Sequence, residues 1–400
     1  MTLTVRGVDR RFMAYSGVTD MMPIYGVYAV LFTDTGVSAA GIASLFAIWS
    51  LTSLLLEVPS GALADVVSRR LLLAVAALLK AVGFGLWTLT PGYWAFAVGF
   101  MLWGASGALT SGTLEALVHD ELASIGAEEQ YLRLSSRAET AGLTLCALGT
   151  AAGAPLVALG GYPATGAASV LICLGLAGIA LSFPARPRVT EVDGPTGIRA
   201  WLAMLRAGLA EASGVRAVRR LVVLCALLPG MTALDEFFPL VAWSAGATAA
   251  MVPVFVLLPM LGQILGGASA GWQRSGTAVG VIVIAGGLLI VGGAVSGSLW
   301  WGFVAIALGY GAVQHAMVVS DARLQAAVRG RARATVTSVA GLGSEVFAIG
   351  LYWVWALAVP PYGQGGAVAV VAAPLVALGV LVIAWMRASD PARAQAPAVG

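Results

Sequence analysis

The chain has 400 residues, of which 59% are hydrophobic and only 10% charged, with a formal net charge of +3. A soluble domain is about 45–50% apolar and about 25% charged, so a water-soluble globule is excluded and an all-α integral membrane protein is expected. Two histidines with no serine or cysteine nucleophile spaced to either, and no cluster of metal-ligand residues, speak against an enzyme. No cofactor, metal or nucleic-acid partner is expected, and the absence of G-x-x-x-x-G-K-[ST] gives no sign of ATP as energy source.

Each bilayer crossing needs about 20 apolar residues in a helix, because unpaired backbone groups are costly in hydrocarbon. In chain order such segments fall at 10–32, 38–60, 71–90, 93–118, 137–160, 163–183, 217–244, 248–272, 277–296, 299–322, 333–358 and 366–387, twelve in all. Span 1 contains Asp20 and has no small-residue cleavage site, so it is read as a helix and not as a removed signal. Cys146, Cys173 and Cys225 all fall in spans, form no C-x-x-C pair, and read as small buried hydrophobes.

The basic residues orient the chain, since short cytoplasmic loops hold the Lys and Arg. Arg6, Arg10 and Arg11 precede span 1; Arg69 and Arg70 follow span 2; Arg133 and Arg137 lie between spans 4 and 5. Seven arginines separate spans 6 and 7, Arg274 follows span 8, Arg323, Arg329, Arg331 and Arg333 lie between spans 10 and 11, and Arg387 and Arg393 follow span 12. The intervening loops (TDTGVS, LTPGY, GGYPAT, WSAGAT, SGSL, PPYGQGG) carry no basic residue, so both termini are expected on the cytoplasmic side of a cell inner membrane. Lys80, inside span 3, is the one exception to the alternation.

A long polar stretch at 184–216 divides the chain into two six-helix bundles, 1–183 and 217–400. Within it, IRAWLAMLRAGLAEAS is expected to form an amphipathic surface helix. The halves echo each other weakly. LEALVHDEL at the end of span 4 aligns with HAMVVSDARL at the end of span 10, which sets Asp120 on Asp321 and His315 one residue from the counterpart of Glu115.

The turn after span 2 reads G-A-L-A-D-V-V-S-R-R, Gly61 to Arg70. In a twelve-span chain this resembles the signature loop of the major facilitator superfamily, G-x-x-x-D-R-x-G-R-R. Gly61, Asp65, Arg69 and Arg70 match, while Val66 and Ser68 replace a basic residue and a glycine. SGTLEALVHDEL resembles the same superfamily, and RARATVTSV is similar to the R-A-T-x-x-S of its bacterial drug-exporter-like members. The resemblance implies two pseudo-symmetric six-helix bundles that rock about a midplane site, and a cytoplasmic gate in which Asp65 meets Arg331 or Arg333 at the start of span 11. GTAAGAPLVALGG, with Gly149, Gly153, Pro155, Gly160 and Gly161, resembles the antiporter signature of exporters at a looser spacing; small residues at this spacing also serve close helix packing. The arginine common in span 4 of drug/proton exporters is missing.

Ionisable residues within spans are costly and mark pathways. They are Asp20, Lys80, Glu115, Glu139, Asp235, Glu236, His315 and Glu345. On a continuous helix Asp20 lies about 13 Å in from Arg11 and Glu345 about 18 Å from Arg333, both near the midplane. Proton-coupling candidates are Asp20, Glu345, His315, Glu115 and Glu139; Glu139 reads equally as an ion pair with Arg137, and His315 as a core histidine bonded to Gln314 or to backbone. Asp235 and Glu236 point about 100° apart on one helix, so at most one faces a cavity centre. Candidate cavity residues are Asp20, Glu115, Asp235, Glu236, Gln314, His315, Trp103 and Phe237, with further tryptophans and phenylalanines offering stacking surface or forming an interfacial belt. Six acids against one lysine and one histidine favour a cation or held protons. The expected function is proton-coupled export of a small cationic or amphipathic solute by a monomer in the bilayer. Uptake or export of a specific metabolite or metallophore, and a non-transporting receptor, are the alternatives.

Overall fold

The computed structural model describes residues 4–184, 206, 214–272, 275–328 and 332–387, apart from the side chains of 58, 62, 65, 66, 332–335 and 387. Among these residues every regular element is helical. The 198–213 surface helix expected in the linker falls outside them except for residue 206. The chain separates into two compact units, Met1–Trp201 with Thr248–Val254, and Leu202–Ala247 with Phe255–Gly400.

Nine helical stretches among the described residues are long and apolar enough to cross a membrane. Two of them are double. Glu128–Leu181 and Val336–Met386 span 54 and 51 residues, and each reverses at a glycine with non-helical angles, Gly160 and Gly161 in the first and Gly363 in the second. Gly161 and Gly363 have φ of 63° and 68°, a region open to glycine at little cost. Span 1, divided into Val5–Thr19 and Tyr28–Asp34, is too interrupted to count by length. With the two double stretches resolved and span 1 restored, the crossings number twelve. Span 4 is shorter than expected: it ends at Thr110, and after Gly112 (φ 69°) a separate helix, Thr113–Ala123, carries Glu115 and Asp120. Span 2 continues to Val66, and the turn to span 3 is made by extended Val67 and by Ser68.

In the first unit, Gly83 of span 3 lies 3.0 Å (as a Cβ position) from the carbonyl of Gly99 on span 4, so those helices meet backbone to backbone. An aromatic cluster fills the space above, with Phe32, Phe46, Phe84, Trp87, Phe96 and Phe100 fully buried. In the second unit, Gly266 of span 8 abuts the Gly311 carbonyl on span 10, and Gly280 of span 9 approaches Gly379 of span 12 in the same way. Large apolar side chains such as Leu159, Leu171, Leu265 and Leu357 point outward and exposed, as lipid-facing residues do.

Candidate functional site

Span 1 breaks where its sequence turns against the helix. Pro23 lacks an N–H and pushes Met22 into extended backbone (φ −106°, ψ 111°), and the chain rewinds only through a 3₁₀ turn at Pro23–Gly26. Unwound backbone in a membrane must find partners. Ser169 of span 6 accepts from the Ile24 N–H at 3.2 Å. Gly149 of span 5 makes room, because a Cβ there would stand 2.5 Å from the Met21 carbonyl carbon, and one on Gly153 2.7 Å from the Pro23 oxygen. Two glycines of the exporter-like stretch thus seat the break in span 1.

Asp20 stands at the upper end of the first half-helix, and its neighbours come from other parts of the chain. Lys80 donates to the Thr19 carbonyl at 3.0 Å, to Asp20 Oδ1 at 3.1 Å and to Tyr25 Oη at 3.1 Å, while Tyr25 donates to the same Oδ1 at 2.8 Å. The lysine is buried; the Asp20 side chain is 51% exposed. In the sequence nothing basic lies within a helical turn of Asp20. The fold brings Lys80 to it across 60 residues. Trp103 packs on Tyr25 and Trp49 with centroids at 4.9 and 4.7 Å, so its ring faces protein and offers little open stacking surface.

Span 7 changes form more gently. Arg216–Gly230 is α-helical, Met231–Phe237 is a 3₁₀ turn, and Phe238–Ser244 is α-helical again, with Pro229 and Pro239 on either side of the tightened turn. Asp235 and Glu236 both lie in this turn. At three residues per turn they project about 120° apart, not the 100° of a continuous α-helix. Tyr310 of span 10 donates to the Thr232 carbonyl at 2.7 Å, and its hydroxyl lies beside Asp235. Asp235 is exposed and makes no ion pair among the described residues. Phe237 is fully buried, stacked on Trp355 at 4.3 Å, and therefore belongs to the packing and not to an open wall.

Close contact of spans 8 and 10 at Gly266 and Gly311 sets His315 Nδ1 2.9 Å from Ser269 Oγ. The Ser269 hydroxyl also lies 2.7 Å from the Gly266 carbonyl, within reach of both partners. This serine, and not only Gln314 or backbone, is the partner of the buried imidazole. Gln314 is half-buried beside Gly267, and Glu345 lies on an exposed face of span 11. Glu115 occupies the exposed first turn of its short helix, where an acid suits the positive helix end. Arg137 pairs with Asp9 at 2.8 Å, which replaces the local pairing with Glu139 allowed by sequence. Glu139 is exposed.

At the expected gate, Arg69 binds Asp120 and, at 2.9 Å, the Ala116 carbonyl; Arg70 reaches the Phe183 carbonyl at 3.3 Å. Both arginines thereby tie span 3 to elements of their own unit. Gly61 faces open space. Arg331 and the side chains of Asp65 and Arg333 lie outside the described residues. Sequence reading missed Glu121, 1% exposed on the short helix Thr113–Ala123, because an acid beside His119 and Asp120 reads as part of a solvated loop. It also missed Tyr25, whose hydroxyl donates to Asp20, and Tyr310, whose hydroxyl lies beside Asp235 and donates to the Thr232 carbonyl.

The sequence profile of the Major Facilitator Superfamily matches residues 12–351. No curated protein matches the sequence. Among solved structures, the nucleoside transporter NupG is similar over 95% of this chain and 98% of its own, at 13% identity and a TM-score of 0.74. A bacterial homolog to the human lysosomal transporter Spinster, inward-facing and unoccupied, is similar over 96% and 95%, at 13% identity and 0.69. A D-xylose-proton symporter follows over 95% and 97%, at 13% identity and 0.65. At such identities the likeness shows a shared fold.

Proposed function

The chain belongs to the major facilitator superfamily, and on that premise we propose that this multi-pass transporter is a proton-coupled carrier exporting a small cationic or amphipathic solute by alternating access. The observation that carries the reading is Asp235, an accessible acid in the tightened turn of a span, beside Tyr310 and paired with no cation among the described residues. A charge in a span is costly. Either a proton or a cationic solute group relieves it, and the two exclude each other, which is the physical basis of exchange. Broken helices near the midplane are also where carriers place their sites. Glu236, Glu345 and His315, in the same half, are the further acid–base groups available to that exchange. The arginine distribution supports cytoplasmic termini and an inner-membrane location.

A second reading, proton-coupled uptake of an uncharged solute, is favoured by one observation. The Asp20–Lys80 pair leaves the break in span 1 without net charge, and a D-xylose-proton symporter shares the fold. The test is ethidium movement in proteoliposomes under an imposed pH gradient. Export predicts gradient-driven ethidium movement that Asp235→Asn abolishes. Absence of movement by the natural protein, or undiminished movement by the variant, overturns it.

A further inference from the structure

Cation exchange at Asp235 gives no task to Lys80, the only lysine in the chain. It sits eleven residues beyond Arg69, about 16 Å into span 3, and is 5% exposed. An ammonium has three hydrogens, and each has an acceptor here: Thr19 O, Asp20 Oδ1 and Tyr25 Oη. Thr19 ends the first half-helix, so its carbonyl is one of those that a helix end leaves unbonded. A cation at that place also faces the negative end of the helix dipole. Tyr25 and Trp103 rings flank the amine at 5.8 Å each.

The two carboxylate oxygens of Asp20 differ. Oδ1 accepts from both Lys80 and Tyr25, whereas Oδ2 has no hydrogen bond among the described residues and the side chain is half exposed. The titratable groups near Asp20 are Lys80 on span 3, Tyr15 and Tyr25 on span 1, Cys146 on span 5 and Cys173 on span 6. Lys80 is the only cation among them.

We propose that Lys80 is the positioning residue of the first half: it caps the first half-helix, holds span 1 open at Asp20, and keeps Asp20 a fixed carboxylate whose Oδ2 receives a hydrogen-bond donor of the solute. Proton exchange then falls to the second half. The assignment rests on the carrier reading above, and it gives different roles to two acids that are both cavity candidates in the sequence. With its three hydrogens engaged, Lys80 has none left for a solute anion, so the first half selects for donors and against carboxylates or phosphates.

Infrared difference spectroscopy of the purified protein in lipid, stepped between about pH 5 and 8, tests this without any solute. Asp20→Asn is expected to leave the protonated-carboxyl signal of the natural protein unchanged. Lys80→Met is expected to add a protonated carboxyl that Lys80→Met/Asp20→Asn removes, and Lys80→Arg to add none. Loss of a titrating carboxyl in Asp20→Asn, or no added signal in Lys80→Met, would overturn the assignment. Should Lys80→Met not fold, the Asp20→Asn comparison still decides. Because the spectra contain no ethidium, a protein that fails to move ethidium still reports on Lys80, and the two proposals fail separately.

Discussion

Spans 1 and 7 open their respective halves of the chain, and both leave α-helical form beside an acid, yet the first opens into extended backbone at Met22 while the second only tightens to a 3₁₀ turn. The demands on the surroundings differ accordingly. A 3₁₀ turn keeps its own i to i+3 hydrogen bonds, and in span 7 a tyrosine donates to the Thr232 carbonyl. The break in span 1 keeps only short local bonds, from the Met22 N–H to the Asp20 carbonyl and from the Tyr25 N–H to the Met22 carbonyl, and it also draws on Lys80, Ser169 and the gap above Gly149 and Gly153. One break is therefore clamped by charge and the other carries an acid with no cation beside it. Two acids of the same type in matching spans thus acquire different chemistry from their neighbours.

The sharpest way to break this comparison is to remove the tyrosine from each site. Tyr25→Phe takes a hydrogen bond from ionic Asp20 and an acceptor from Lys80, with an expected cost of about 1.5–3 kcal/mol. Tyr310→Phe frees one backbone carbonyl and should cost about 0.5–1.5 kcal/mol. Thermal midpoints of the purified variants, followed by tryptophan fluorescence, should fall further for Tyr25→Phe; equal shifts would mean that both breaks are held alike.

Glycine seats give a somewhat smaller contrast. Gly149→Ala sets a methyl against the backbone of Met21 and Met22, which cannot move without closing the break, and is expected to cost about 1–3 kcal/mol. Gly343→Ala meets only the Ala226 methyl, at 2.9 Å, and should stay below that range. The same midpoint measurement checks the pair.

The smallest effect lies at the outer surface, where Tyr162 donates to Asp34 at 2.6 Å. Burial and the adjacent carboxylate push the Tyr162 phenol well above its usual range. A raised folded value means that the contribution is complete below the unfolded value of about 10 and is lost only as pH rises through the folded one. Asp34 is exposed, so Tyr162→Phe should cost about 0.5 kcal/mol, seen as a small midpoint shift of constant size from neutral to mildly alkaline pH. A shift that vanished near neutral pH would contradict the direction.

The sequence by itself determined the class and the plan of this protein, because bilayer thickness and the placement of arginine act on long stretches of residues at once. Twelve apolar segments and the family resemblance at Gly61 to Arg70 were legible from such regularities. The candidate acids were legible too, since a carboxylate in a span is conspicuous by type alone. Their states were not. Whether Asp20 is paired depends on Lys80 arriving from sixty residues away, what stands beside Asp235 depends on a tyrosine from span 10, and whether Trp103 and Phe237 are open depends on Tyr25 and Trp355 lying against them. Periodicity is blind to such pairings. The helix breaks stand between the two cases: Pro23 and Pro239 announce that a helix will be disturbed, but only the partners available in the folded chain decided that span 1 unwinds while span 7 merely tightens.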